Sequence, residues 1–392
     1  MRAVVKIVTA FLVLAGGLLG LPVASAVAQY APFYAATAAE LDGPPGSIIR
    51  YQRIIGAPWY SKAFRILYRS TDPEGRPIAV SGVLVAPNAA AAGGHPIVAW
   101  AHPTTGVADK CAPSVIPGVL KAIPGLDDMV KRGFIVVATD YPGLGTAGEH
   151  PYLVGPSEAR AVLDSVRAAR TLASGGDTFA VWGHSQGGHA ALWTGELAAG
   201  YAPELKLAGI AAAAPATLLG KLFDDDLGTV AGKGLSALVL ASWSRLYGYD
   251  LASVVLPAAM VDVEKIGDQC IVGFSDLVVD AGALLSIDHV GFLKGDPART
   301  PPWQGTIAAN TPGKGKPGAP VFIAQGSGDT VVDPPVTTEF AKLLCNQGAA
   351  VRFFEVPDAT HTMIAKVSAA AAVEWIAARF AGEAPPTNCI VK

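Results

Sequence analysis

Two hydrophobic rhythms alternate along this chain. Residues 63–68 and 78–85 are apolar, β-prone runs, and the turn-forming Thr71-Asp72-Pro73-Glu74-Gly75 between them predicts an antiparallel hairpin. Six later runs, at 96–101, 134–139, 179–182, 207–214, 321–325 and 351–356, are short and nearly all apolar, the pattern of parallel strands covered on both faces. Between several of them lie segments of helical length, 158–172, 188–199, 337–346 and 365–381, with apolar residues recurring at i, i+3 and i+4. This alternation predicts an α/β fold with a mostly parallel sheet.

The strand ending near Ala214 and the one starting at Val321 are separated by about a hundred residues, where an ordinary connection takes about 4 to 6. The excess predicts an inserted subdomain. Its apolar helical patterns at 234–247, 251–266 and 275–285 suit a cap above the sheet, and 297–320, rich in Gly and Pro, reads as a linker back to the core. The expected organisation is a core in two parts, 27–215 and 305–392, around a cap at 216–304.

The first 26 residues read as an address. Arg2 and Lys6 precede the uncharged apolar run 7–21, and Ala24-Ser25-Ala26 offers a signal peptidase its small residues, with Ala26-Val27-Ala28 a second candidate. The run falls short of the roughly 18 residues that span a bilayer, and Pro22 follows it. A secreted protein with no integral membrane segment after cleavage is expected. Cleavage would leave 27 basic against 32 acidic residues, a net charge of −5.

Composition narrows the classes. With 51% hydrophobic and 16% charged residues, and a mean hydropathy of +0.39, the 392-residue chain buries too much apolar surface to be disordered. No basic run exists to neutralise phosphates, so nucleic acid is excluded as an expected partner. Four cysteines, Cys111, Cys270, Cys345 and Cys389, form no C-x-x-C spacing, and an even count outside the cytoplasm reads as two disulfides with three connectivities open. Asp224-Asp225-Asp226 lacks the spacing of a calcium loop and reads as solvated turn acids, so neither a metal nor a cofactor is expected.

The chemistry concentrates at Gly183-His184-Ser185-Gln186-Gly187, which follows an apolar strand and opens a helix-prone segment. A serine between glycines at such a turn is a nucleophile elbow, with its hydroxyl raised above the sheet. The hydroxyl is a weak nucleophile and needs a histidine to take its proton and an acid to orient that histidine. His361 follows the run 351–356 and is the expected base; Asp329 lies just beyond 321–325 and is the expected acid. Asp333 competes, but stands four residues further from the strand end, directly before Pro334-Pro335. The order Ser, Asp, His matches the α/β-hydrolase arrangement. His184 and His189 are expected to pack or hydrogen-bond, Asp358 to shape its loop, and Trp243, Tyr247 and Tyr249 to pack within the cap.

Acyl transfer builds negative charge on a carbonyl oxygen, which aimed N–H groups stabilise. Gln186, at the helix start, is the expected first donor. The second should come from the loop His102-Pro103-Thr104-Thr105-Gly106; Pro103 has no N–H, which leaves Thr104.

Several blocks carry a resemblance: Pro44-Pro45-Gly46 leading to Arg50, residues 101–106 with Cys111-Ala112-Pro113-Ser114, and residues 139–145 with His150-Pro151-Tyr152. Gly183 to Gly188, Gly326 to Asp329 and Thr360-His361 complete the set. Over nearly the whole mature chain it resembles the secretory lipase family of α/β-hydrolases. The resemblance implies lipase or carboxylesterase activity, a helical cap, and the disulfide pairs Cys111–Cys270 and Cys345–Cys389. The expected function is therefore a metal-independent serine lipase or esterase acting on lipid or small ester substrates, with transient contact at a lipid–water interface. An acyltransferase or serine peptidase on the same scaffold, and a non-catalytic lipid binder, are the rivals.

Overall fold

The expected hairpin forms between β2 (Ser61–Thr71) and β3 (Pro77–Pro87), with Ala63 facing Val85 and Tyr68 facing Val80. Its turn is closed by the Gly75 N–H donating to the Asp72 carbonyl at 2.9 Å. The computed structural model describes residues 32–271 and 291–389, with positions 283, 286 and 287 between them. The expected leader, most of the helix expected at 275–285 and the Asp288-His289 pair lie outside the described residues.

The remaining strands are β1 (Ile48–Ile54), β4 (His95–Ala101), β5 (Ile135–Thr139), β6 (Gly175–His184), β7 (Lys206–Ala213), β8 (Val321–Gly326) and β9 (Val351–Val356). The sheet runs in the order β1-β2-β3-β5-β4-β6-β7-β8-β9, antiparallel through β3 and parallel from β5 onward. Helices α1 (Leu126–Lys131), α2 (Gly155–Ala173), α3 (Gln186–Tyr201), α8 (Pro334–Asn346) and α9 (His361–Phe380) cover it. Strand alternation divides the core. Val98, Trp100, Ala180 and Trp182 face α1 and α9, whereas Ile97, Ala99, Phe179 and Val181 face α2, α3 and α8. This is why the strands read as continuous apolar runs.

Between β7 and β8 the chain forms α4 (Leu219–Asp226), α5 (Val230–Tyr247), α6 (Met260–Gly267) and α7 (Trp303–Asn310). The periodicity at 251–266 predicts one helix, but the structure has 3₁₀ turns at Leu251–Ser253 and Pro257–Ala259 before α6 begins. Pro257 has no N–H to continue a helix through it. The expected linker 297–320 contains α7, whose fully buried Trp303 packs edge-on against Tyr249 at 5.1 Å. Leu222, Phe223, Trp243, Val263 and Trp303 belong to the same apolar cluster as Trp182, so these helices share a core with one face of the sheet.

Both disulfides join the pairs the resemblance implied. Cys111–Cys270 ties the loop after β4 to the residues following α6, where the Ile271 N–H also donates to the Thr105 carbonyl at 2.8 Å. Cys345–Cys389 ties α8 to the C-terminal tail, and Asn388 in that tail bonds the backbone of β9.

Candidate active site

Ser185 sits between β6 and α3 with φ +57° and ψ −116°, a region that costs a non-glycine residue about 1 to 3 kcal/mol. Its surroundings hold it there. The Ser185 N–H donates to the Ala213 carbonyl at 3.0 Å, and its carbonyl accepts from Ala216 at 3.1 Å and His189 at 3.0 Å. Strand and helix approach so closely that a Cβ on Gly183 would lie 2.0 Å from the Gly187 carbonyl oxygen, and one on Gly187 would lie 1.9 Å from that of Ala101. Only glycine fits either position.

His361 is the first residue of α9 and faces Ser185 across the end of the sheet. The Ser185 hydroxyl lies 3.0 Å from its Nε2, and Nδ1 lies 2.9 Å from Asp329 Oδ2. Asp329 stands just past β8, its other oxygen accepting the N–H groups of Val331 and Val332 at 2.9 Å each. Burial pushes this carboxyl up, but His361 and the two N–H donors outweigh burial and hold it below its ordinary value. Asp333 begins α8 exposed and makes no bond to His361. Asp358, at φ +56°, shapes the preceding loop through its N–H bond to Ser327 Oγ.

His184 does what was expected of it: its Nε2 donates to the His361 backbone carbonyl at 2.9 Å. Burial, reinforced by the nearby His361, pushes this ring down to about 3, so it stays neutral at ordinary pH.

The two expected oxyanion donors lie on facing segments. Gln186 is the first residue of α3, whose N-terminal N–H groups point out with the positive end of the helix dipole. Thr104 belongs to the loop after Ala101, the residue that Gly187 abuts. Neither backbone N–H has an acceptor among the described residues. The Thr104 hydroxyl is fixed to the Tyr152 hydroxyl at 2.8 Å.

Sequence reasoning missed the polar cluster beneath the elbow. Glu158 on α2 is fully buried; its Oε1 accepts from the Gln186 side-chain amide at 2.8 Å, and its Oε2 lies 2.7 Å from His189 Nδ1. His189 Nε2 faces the Asn310 carbonyl at 2.8 Å. Both ring nitrogens thus meet oxygens. The Gln186 amide also donates to His150 Nε2 at 3.1 Å, while His150 Nδ1 donates to the Pro142 carbonyl at 2.8 Å. A lone glutamate in an apolar helical pattern carries no signal of these partners.

Above Ser185, α4, α5 and Val331-Val332 enclose a cavity of about 40 Å³ lined mainly by apolar side chains such as Leu219, Leu222, Phe223 and Val239. That is room for a few waters. One reading needs correcting here: the three acids end helix α4 and do not form a turn; Asp224 and Asp225 are exposed, but Asp226 is partly buried and lines this cavity. Burial, with Asp225 beside it, pushes the Asp226 carboxyl up to about 7.

The parallel sheet, the serine at a strand-to-helix turn and the chain order serine, aspartate, histidine define an α/β-hydrolase. The chain belongs to the secretory lipase family, whose sequence model matches residues 125–388. It is 27% identical over 376 residues to a probable inactive lipase of Mycobacterium tuberculosis, covering 90% of this chain and 82% of that one. It is 26% identical over 397 residues to Lipase 6 of Candida albicans, covering 91% and 82%. Among solved structures, Candida antarctica lipase A in its closed state superposes with a TM-score of 0.76 at 21% identity, covering 91% of this chain and 87% of that one. A rice cell wall degrading esterase of Xanthomonas oryzae superposes at 0.67 with 21% identity, covering 84% and 96%. Among the described residues no helix is long and apolar enough to cross a membrane.

Proposed function

We propose that this protein is an exported serine ester hydrolase acting on esters with apolar acyl groups, and that α4 to α7 form its cap. The observation that carries the reading is the unbroken hydrogen-bonded line from Ser185 through His361 to Asp329, at 3.0 and 2.9 Å. In the reaction, His361 Nε2 takes the Ser185 proton as the hydroxyl oxygen attacks the ester carbonyl. Asp329 keeps Nδ1 protonated and stabilises the imidazolium that forms. The carbonyl oxygen gains negative charge within reach of the Gln186 and Thr104 N–H groups, a contribution of about a hundred- to thousandfold per donor. His361 returns the proton to the leaving alcohol, and a water activated by the same ring then releases the acid.

The apolar cap wall suits an acyl chain, whose burial is worth about 0.8 kcal/mol per methylene and favours medium or long chains over acetate. A cavity of 40 Å³ holds no such chain, since sites for ligands of that size run to about 300 Å³ and more. Binding therefore requires the cap helices to part. The mycobacterial relative described as inactive makes direct assay the decisive step, and in this chain serine, histidine and aspartate are all present. A fluorophosphonate probe should label Ser185, Ser185→Ala should lose both labelling and turnover at an unchanged melting temperature, and nitrophenyl esters should turn over faster as the acyl chain lengthens beyond acetate. Absence of labelling in the wild type ends the proposal.

A further inference from the structure

The cap side of the cavity above Ser185 carries an acid and a hydroxyl, Asp226 and Ser236, that ester hydrolysis does not use. Ser236 on α5 is 2% exposed, and its hydroxyl has no hydrogen-bond partner among the described residues. It does not turn back to the carbonyl one helical turn earlier, the common resort of a serine inside a helix. Asp226, the last residue of α4, lines the same cavity, and no donor or cation meets its carboxylate among the described residues. The two are neighbours. A Cβ on Gly232 would lie 2.7 Å from the Asp226 Cβ, and Ser236 stands one turn beyond Gly232 on the same face of α5. An acceptor and a donor thus stand about one helical turn apart in a lining made mainly of leucine, valine and phenylalanine, with Tyr152 and Gln186 beside the nucleophile.

We propose that this pocket selects esters whose buried chain carries a hydroxyl group. The substrate hydroxyl donates its proton to the Asp226 carboxylate, and its oxygen accepts the Ser236 proton. A hydroxyl is the smallest group that satisfies both, whereas a plain hydrocarbon chain shuts both away from water unpaired. An ammonium group, which only donates, leaves the Ser236 proton unmatched. The upward shift of the Asp226 carboxyl agrees with the lack of any compensating donor in the empty pocket. Sites that hydrogen-bond a substrate hydroxyl discriminate strongly against analogues lacking it, because their own polar groups are then stranded. This inference rests on the ester-hydrolase reading above and deepens it.

The test compares kcat/KM for nitrophenyl esters of hydroxylated fatty acids with unsubstituted esters of equal length. A second arm compares fatty monoesters of a long-chain diol with those of the corresponding simple alcohol, which separates a hydroxyl on the acyl side from one on the alcohol side. At least about a tenfold preference for the hydroxylated member of one pair is expected. Ser236→Ala and Asp226→Asn should each reduce that preference, Ser236→Thr should keep it, and Ser236→Ala should turn over the plain chain faster than wild type does. Equal kcat/KM within both pairs, or a preference that survives both Ser236→Ala and Asp226→Asn, overturns the inference while leaving the ester-hydrolase reading intact. No turnover of any ester, together with no fluorophosphonate labelling, overturns both.

Discussion

The side-chain amide of Gln186 donates to the Glu158 carboxylate at 2.8 Å, so a proposed oxyanion donor is held from behind by an acid buried in α2. Removing the acid in Glu158→Ala leaves His189 Nδ1 without its partner and takes one of the two partners of the Gln186 amide in the buried interior. A loss of about 3 to 5 kcal/mol is expected, read from urea unfolding. Glu158→Gln, which keeps the volume, should lower kcat with little change in KM, because the helix start is loosened and not the substrate wall. Unfolding of Glu158→Ala at the wild-type urea midpoint would show that the cluster contributes nothing.

Asp329 and Asp333 can be told apart by one amide each. Asp329→Asn preserves shape but lets His361 adopt the wrong tautomer, and kcat should drop by about ten-thousandfold, as in comparable triads. Asp333→Asn, at an exposed position without a bond to His361, should stay within about twofold of wild type, since surface substitutions rarely do more. The reverse ranking would move the acid role to Asp333.

Close approach at the elbow predicts opposite outcomes for two glycines of the same helix. Gly187→Ala puts a methyl 1.9 Å from the Ala101 carbonyl oxygen, both of them backbone-bound, so the loop carrying Thr104 must be driven away from α3. Turnover should be lost even where the protein folds. Gly200→Ala meets nothing within 4 Å and should stabilise α3 by about 0.5 to 1 kcal/mol. Thermal unfolding together with an esterase assay checks both.

His150 supplies a pH-dependent term. Burial pushes its ring from 6.5 down to about 3, and its Nε2 lone pair is already committed to the Gln186 amide. Because the folded value lies below the unfolded one, the unfolded chain takes up the proton first as the solution is acidified. The stabilisation is complete above pH 6.5 and is lost as pH falls toward 3, at up to about 1.4 kcal/mol per pH unit. The difference in unfolding free energy between wild type and His150→Gln should therefore shrink between pH 7 and pH 4.5, about where the two forms part. A constant difference across that range contradicts a neutral ring.

Much of this architecture was legible because the parallel strands are covered on both faces and so read as apolar runs. β9 occupies the expected 351–356 and β4 starts one residue before expectation. The elbow was legible for a different reason: glycines on either side of Ser185 mark where backbone must touch backbone. What escaped was held by partners distant in sequence. β1 carries Arg50, Gln52 and Arg53 and is a half-exposed edge strand formed by pairing with β2. β6 begins at Gly175, four residues ahead of the apolar run, because β4 offers it a partner there. Glu158 and Asp226 look alike in sequence to any solvated acid, and only packing sends one beneath the nucleophile and the other into the cavity above it.

The Cys111–Cys270 bond has a mechanical consequence for how a substrate could enter. It joins the residues after α6, at the far end of the proposed cap, to the loop that carries Thr104, and α5 is fastened nearby where the Trp243 indole donates to the Tyr152 carbonyl at 2.7 Å. By contrast α4 is held by its buried Leu219, Leu222 and Phe223, and at its surface only by the exposed, solvent-screened ion pairs Lys221–Glu339 and Asp224–Arg299. Any opening of the proposed cap therefore leaves its Cys111–Cys270 end in place, and the strand-end loop beside the nucleophile stays tied to that end.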